Sequence, residues 1–523
     1  MKRFNVTGLC VPHKHYMADT RGKMAAIKKL VEDEKYFTIN KGRQYGKTTM
    51  LILLKNELKE PYIPIFISFE GLCDKSFESQ EAFSGMLMRR ISKALAFTSA
   101  PEEYIGKWID EAVTDFELLG EHITKMCRGK KVVLMIDEVD RTSNNRVFLQ
   151  FIGMLRDKYL AREAGMDFTF HSVILAGVHD IKNIKLKLIN EGAYTPTQTE
   201  GKMHNSPWNI AVSFDVDMSF NPTEIAFMLE DYEKDHRTGM DIAEIAEEIH
   251  KFTSGYPFLV SRICQHIDEK LGKNWTIPGI KEAVKEMLDE RNTLFDDIFK
   301  NAENNKKLHD MLYDIVIVGD KQPFSMGNPE IATGMMYGML KNINGRAAVS
   351  NRVFETLLSD YFISKNAMSG NGKKITKVLH YDVTKDGRLD MELLMRKFAE
   401  HYTELFNKTD AEFLERHGRL IFLTYLKPLI NGQGFYHMES QFTDLRRMDI
   451  VVDFGKEQFI VELKLWHGEG YKKKAYAQLL DYMKSKNADI GYMLTFDFRK
   501  NAGEKPQPEW VEFDGKRIFD VVV

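Results

Sequence analysis

The four cysteines, Cys10, Cys73, Cys127 and Cys264, include no CxxC pair. Neither a disulfide framework nor a zinc ribbon is therefore indicated, and a reducing cytoplasm fits this usage. No apolar run is long enough to span a bilayer, and the opening MKRFNVTGLCVPHKHYM carries basic residues without an apolar core of the signal-peptide kind. Neither membrane insertion nor secretion is expected. An excess of one charge is also missing: 73 basic side chains face 76 acidic ones. Net charge thus argues neither for nor against a nucleic-acid partner, which could still meet a local basic patch. No internal repeat or low-complexity tract interrupts the chain. In CVPHKH, the residues Cys10, His13 and His15 lack a fourth ligand at a usual spacing, so this stretch reads as an N-terminal loop rather than a zinc site.

What is present is enough apolar sequence for several cores. At 523 residues the chain is too long for one, and 43% hydrophobic content suits an ordinary folded protein of three or four units. From Tyr36 apolar runs alternate with helical patterns: YFTIN, YIPIFISFE, KVVLMID, FHSVILAGV and WNIAVSF. Continuous apolar strands separated by helices predict a largely parallel sheet covered on both faces. After Asn221-Pro222 the strand signals stop and helices follow to about Arg291, interrupted by GYPFLV, as a helical lid would require. Residues 296–365 read as helices followed by a turn at Asn344-Gly345 and a short strand, a winged-helix-like pattern. Ser364 to Lys374, rich in Gly, Ser, Asn and Lys, has linker composition. The expected organisation is an α/β multidomain chain: a parallel-sheet core at 1–220, a helical lid at 221–295, a winged-helix-like unit at 296–365 and a C-terminal α/β domain at 375–523.

Two constellations carry chemistry. In INKGRQYGKTTMLILL a glycine-bearing turn joins a strand to a helix, where backbone N–H groups and the helix dipole can face phosphates. Gly42, Gly46, Lys47, Thr48 and Thr49 are the candidate ATP ligands, with Lys47 reaching the β- and γ-phosphates and Thr48 holding Mg²⁺. The first glycine of GxxxxGK[ST] is replaced by Lys41, and Gly42 stands one place later. VVLMIDEVD then delivers Asp137 for Mg²⁺ and Glu138 for water activation at the end of an apolar strand.

Nearer the C-terminus, RRMDIVVDFG and EQFIVELKLW read as two strands joined by a turn. Period-two alternation puts Asp449, Val451 and Asp453 on one face of the first, and Glu462 with Lys464 on one face of the second. Charges inside apolar strands are costly unless paired or metal-bound. Two carboxylates and a lysine are what metal-assisted phosphodiester cleavage needs: oxygen ligands for Mg²⁺ (or Mn²⁺) and a group to act on the attacking water. The alternative for such a pair is an exposed hairpin with an ion pair. The next helix adds Gln478 and Tyr482 at i, i+4, and begins with Lys472, Lys473 and Lys474, which suit either DNA phosphates or a solvated face.

The first constellation resembles AAA-type and STAND-type ATPases, and the order of P-loop, DE strand, GYPF and winged-helix-like tail resembles bacterial and archaeal AAA-ATPase-like proteins that carry a nuclease domain behind them. That resemblance implies ATP binding, a further strand between the two motif strands, a sensor on FHSVILAGVHD with His179 as candidate, and Arg262 as a second sensor. It leaves the arginine finger open among Arg141, Arg146 and Arg156. The array Asp449, Glu462-x-Lys464 with Gln478 and Tyr482 resembles the PD-(D/E)XK phosphodiesterase core, although Met448 stands where the proline of that name would be. The resemblance implies a further carboxylate, with Glu415 first, then Glu412 or Glu439. Together the two imply an ATP-regulated, Mg²⁺-dependent nuclease, a homo-oligomer acting on nucleic acid, DNA before RNA, in genome defence or mobile-element control. The competing expectation is a STAND-like ATPase switch whose C-terminal domain binds nucleic acid or a partner without cutting.

Overall fold

The computed structural model describes residues 1–98, 100–142, 146–178, 208–320, 322–368, 383–385, 387–406, 411–430, 434–439, 449–455, 457–466, 468–497 and 506–523. Within these, residues 141–142, 403–406, 411–416, 437–439, 449 and 469 are described by their backbone only. The chain divides into two compact units, Met1–Ala283 with Met336–Gly338, and Val284–Met335 with Met339–Val523.

The first unit is built on four parallel strands, β1 (Tyr36–Asn40), β2 (Tyr62–Ser68), β3 (Lys131–Asp137) and β4 (Ser172–Gly177), in the order β1-β4-β3-β2. The strand carrying FHSVILAGV therefore lies between the two motif strands, as the sequence resemblance requires. Successive residues serve opposite faces. Tyr36, Leu134 and Val173 pack under the helices Gln80–Leu95, Phe116–Cys127 and Arg146–Glu163, whereas Phe37, Met135 and Ile174 pack under Arg21–Glu32 and Lys47–Glu57. Burial on both sides is why these strands read as unbroken apolar runs. WNIAVSF does not form the full strand expected. Trp208 to Ile210 are a turn, and Val212 makes a single parallel bridge to Phe37 on the outer side of β1, its N–H donating to the Tyr36 carbonyl at 3.0 Å.

Four helices follow: Pro222–His236, Ile242–Thr253, Pro257–Glu269 and Ile277–Leu288. The first is opened by a reciprocal capping box between Asn221 and Glu224, which fixes where the strand region ends. Aromatic side chains fasten the N-terminal segment to this helical layer. Phe4 lies 5.0 Å from Tyr16 and 5.2 Å from Tyr232, ring to ring, and the Tyr16 hydroxyl donates to Asp235 at 2.9 Å.

After the helical layer come helices Thr293–Asn304, Lys306–Tyr313 and Pro329–Met336. They lead to a hairpin of β5 (Leu340–Ile343) and β6 (Arg346–Val349), turning at Asn344-Gly345, both with positive φ. The helix Arg352–Ala367 follows, so the linker-like stretch starts with its last turn, Ser364 to Ala367, and residues 369–382 lie outside the described residues. Past the two-residue strands β7 (Thr384–Lys385) and β8 (Arg388–Leu389) come helices Met391–Phe406 and Ala411–Ile430. A mixed sheet completes the second unit: β9 (Gly434–Glu439), β10 (Asp449–Phe454), β11 (Glu457–Leu465), β12 (Ile490–Phe496), β13 (Glu509–Phe513) and β14 (Lys516–Val522), in the order β13-β14-β12-β11-β10-β9. The helix Glu469–Ser485 crosses one face, packing Leu479 and Met483 against Val451, Ile460 and Met493. Among the described residues no helix is long and apolar enough to cross a membrane.

Candidate active sites

At the end of β1 the chain turns through Lys41 to Gly46, and Gly46 takes a left-handed conformation (φ 77°) as the cap of helix Lys47–Glu57. That conformation is open to glycine at little cost, and it leaves the first N–H groups of the helix pointing out of the turn. Lys47 is buried, and its ammonium donates to the carbonyls of Lys41 at 2.8 Å and Gly42 at 2.9 Å. Burial holds its pKa below the usual lysine range, against the pull of Glu138, Asp140 and Asp137. Beside it, the Thr48 hydroxyl donates to Asp137 at 2.6 Å, across from one motif to the other. Asp137 is buried at the end of β3, and burial raises its carboxyl pKa. Glu138, half-buried, is also raised by burial and then by Asp137, and its φ of 56° is an unusual backbone state for glutamate.

Thr49 faces the N-terminal loop, where its hydroxyl accepts the Cys10 N–H at 3.2 Å. The CVPHKH stretch is thus beside the nucleotide turn. Next to it lies a cavity of 150 Å³ whose walls include Tyr16, Tyr45, Met50, Phe220 and Phe258. The GYPF element reaches the same turn: the Tyr256 hydroxyl donates to the Arg43 carbonyl, and its ring sits 4.4 Å from that of Tyr45. Gly255 is obligatory there, because a Cβ would fall 1.9 Å from the Phe220 carbonyl oxygen. Of the other expectations, His179 lies outside the described residues, as does the Arg141 side chain; Arg146 is exposed and Arg156 half-buried on one helix. Arg262 donates to Gln265 at 2.7 Å on its own helix.

In the second unit the ladder explains how one hairpin gathers its charges. Ile450 pairs with Val461 and Val451 with Ile460, so the next step of the antiparallel register sets Asp449 opposite Glu462. On its other side Asp449 pairs with Glu439, and Glu462 pairs with Met493. Glu439, Asp449 and Glu462 therefore occupy one row across three strands. Glu462 and Lys464 are both buried, at 2% and 5% exposure, and form an ion pair beneath helix Glu469–Ser485. From that helix the Gln478 amide oxygen accepts from the Lys464 ammonium at 3.1 Å. Tyr482, one turn on, is buried with no hydrogen-bond partner for its hydroxyl among the described residues. Glu412 and Glu415 fall on helix Ala411–Ile430, but their side chains, like those of Glu439 and Asp449, lie outside the described atoms. Among the described residues no three His, Cys, Asp or Glu side chains gather at metal-ligating range.

The same sheet row continues to a residue that sequence reasoning missed. Met493 pairs with Asp520 on β14, a carboxylate only 3% exposed. One of its oxygens accepts from the Tyr476 hydroxyl at 2.7 Å and meets the Lys472 ammonium at 2.6 Å. Lys472 is thus engaged by a buried carboxylate, and only Lys473 and Lys474 of the triplet form an exposed charged face. The signal was there in RIFDVVV, one carboxylate within an apolar strand.

A strand order with β4 between β1 and β3, closed by a lysine-bearing turn that meets an aspartate from the neighbouring motif, defines a P-loop ATPase core, and the second sheet with its Glu-x-Lys strand defines a nuclease-type fold. A family model for the AAA-like domain matches residues 10–362, and one for the PD-(D/E)XK nuclease superfamily matches residues 434–505. The chain belongs to the AAA-like family and carries a PD-(D/E)XK domain at its C-terminal end. Similar solved structures include a Walker-type ATPase of Pyrococcus abyssi, at 11% identity and a TM-score of 0.45, covering 68% of this chain and 99% of that one. The ORC2 protein of Aeropyrum pernix, in its ADPNP–ADP complexes, matches at 10% identity and a TM-score of 0.35, covering 67% and 97%. No curated protein sequence matches the chain.

Proposed function

We propose that this chain binds and hydrolyses ATP at its first site and cuts nucleic acid, DNA foremost, at its second. Support for the first comes from the residues themselves. A buried ammonium clasped by two loop carbonyls, an open helix start and an adjoining cavity with aromatic walls fit a nucleotide's phosphates and base. Thr48 and Asp137 would hold a divalent cation, and Glu138 would accept the proton of the attacking water. Bound there, the cation would neutralise phosphate charge.

For the second site the carrying observation is the buried Glu462–Lys464 pair, one register step from Asp449 and roofed by Gln478. A module that only binds has no need to bury an ammonium among these groups. Asp449 and Glu462 supply hard oxygen donors suited to Mg²⁺ or Mn²⁺, with Glu415 or Glu439 able to add another. A cation held there would act as Lewis acid toward the scissile phosphate. Lys464, kept in place by Gln478, would orient the attacking water and offset negative charge as it develops. The chain is expected to work as a homo-oligomer, with ATP governing access to the cutting site.

The test is a set of variants assayed on supercoiled, linear and single-stranded DNA. Glu462→Gln should lose both metal binding and cleavage, while Lys464→Ala should keep metal binding and lose the chemical step, about a hundredfold or more. Cleavage surviving in both would sink the nuclease reading and leave a switch that binds without cutting.

A further inference from the structure

A second charged surface lies far along the chain from the cutting site, at the free edge of the first sheet. There β2 pairs with β3 alone among the described strands. Against it, helices Lys47–Glu57 and Gln80–Leu95 frame an open groove with a volume of 540 Å³. Its charged lining is of one sign, Lys55, Arg89, Arg90 and Lys93, with no carboxylate among the lining residues. This stands out in a chain whose formal net charge is −3. Spacing explains the convergence: Arg89, Arg90 and Lys93 share one side of a helix at i, i+1 and i+4, and Lys55 approaches from the neighbouring helix.

Two features separate this groove from a merely solvated basic face. Arg90 is half-buried, and its guanidinium donates to the Ser68 carbonyl at 2.6 Å, so one cation is fixed in position. Phe66 and Phe97 also line the groove, and Phe97, in the turn just past the end of helix Gln80–Leu95, is 77% exposed. Among the described residues no carboxylate forms an ion pair with Lys55, Arg89 or Lys93. Cations spaced along a groove with an exposed aromatic ring at its rim match the chemistry of a nucleic-acid strand: phosphates for the cations and a base face for the ring.

We propose that this groove binds a single strand of nucleic acid, separately from the cutting site. The proposal rests on the nucleic-acid reading above and extends it to a second place on the chain. Lys55, Arg89, Arg90 and Lys93 hold consecutive phosphates, and Phe97 stacks on an unpaired base. A duplex, whose bases are already stacked, gains the phosphate contacts but not the ring.

Full-length protein titrated with oligothymidylate in EDTA, where metal-dependent cutting is stopped, tests this directly. The Arg89→Glu/Lys93→Glu variant should bind about tenfold more weakly, whereas the control Lys28→Glu/Lys29→Glu, with the same change in charge, should lose less than about twofold. Glutamine at Lys55, Arg89 and Lys93 should reduce the dependence of log affinity on log salt by about two units. Phe97→Ala, at a side chain too exposed to carry the fold, should weaken single-strand binding about fivefold and leave duplex binding nearly unchanged. Equal losses in the groove and control variants, or an unaltered salt dependence, would overturn the proposal. So would groove variants that bind oligothymidylate as the parent does but lose the binding of an acidic polypeptide. Loss of cleavage in the Glu462→Gln variant is read in a separate assay with metal, so the groove can stand where the nuclease reading fails, and the reverse.

Discussion

Both sites bury a lysine, but they hold it in different ways. Lys47 is clasped by the carbonyls of its own turn, Lys41 and Gly42, which are weak, replaceable partners for an ammonium. Lys464 is locked between the side chains of Glu462 and Gln478, groups to which the proposed cleavage assigns roles of their own. The first arrangement suits a lysine that must trade partners each time a phosphate arrives and leaves. The second suits a lysine that is positioned once and stays. Buried charge therefore does not have one meaning: what surrounds it decides whether the site is made for exchange or for preorganisation.

The largest effect that would test this contrast is expected at the exchanging lysine. Lys47→Ala should lower ATP turnover by about a hundredfold or more with an unchanged melting temperature, because the carbonyls it leaves can turn to water. An ATPase rate within a few-fold of the parent would break the comparison at its first term. A smaller effect is expected from loosening the fixed lysine without removing it. Gln478→Ala should reduce the cleavage rate constant about tenfold at unchanged metal affinity, read by single-turnover kinetics with metal titration. If Gln478→Ala cuts at full rate, Lys464 is held by Glu462 alone and preorganisation by the helix is not at work. The smallest effect on chemistry belongs to a third lysine, Lys472, which meets a carboxylate as buried as Glu462 but is itself partly exposed and lacks the neighbours of Lys464. Asp520→Asn should cost about 2 kcal/mol of stability in denaturant unfolding, while cleavage below the unfolding transition stays within about twofold. A large loss of cleavage with stability intact would make Asp520 part of the cutting machinery and erase the distinction.

Much of the first site was legible because its parts sit at strand ends in short motifs. Lys47, Thr48 and Asp137 are close in the fold because parallel strands end on one side of the sheet, so the terminal residue of β3 faces the turn after β1 across the intervening β4. The contact from the helical layer to this turn was only hinted at. Gly255-Tyr256-Pro257 could be matched to a family element, but nothing in its spacing says that the Tyr256 hydroxyl meets the carbonyl of Arg43, more than two hundred residues away in sequence (213). For the second site, alternation placed Glu462 with Lys464 correctly, since a two-residue period leaves no freedom once the strand is recognised. Asp520 escaped because its partners Lys472 and Tyr476 lie on a helix, the tyrosine 44 residues earlier, and no local period links strand to helix. WNIAVSF was overread: a segment outside β1 has one neighbour to pair with, and a single bridge through Val212 is what forms.

The glycine before Tyr256 has a consequence for how this protein can vary. At Gly255 even one methyl group would collide with the backbone of Phe220, a chain segment that cannot retreat as a side chain could. The requirement is thus for an atom's absence, at a residue that need touch no substrate. In a saturation library selected for ATP-dependent function, position 255 should tolerate nothing else and look as constrained as Lys47, while its neighbour Ser254, already in the same left-handed region with a side chain, should accept asparagine or glycine. Intolerance to substitution would then mark two different kinds of place in one chain, where a group must act and where there must be room for another to arrive.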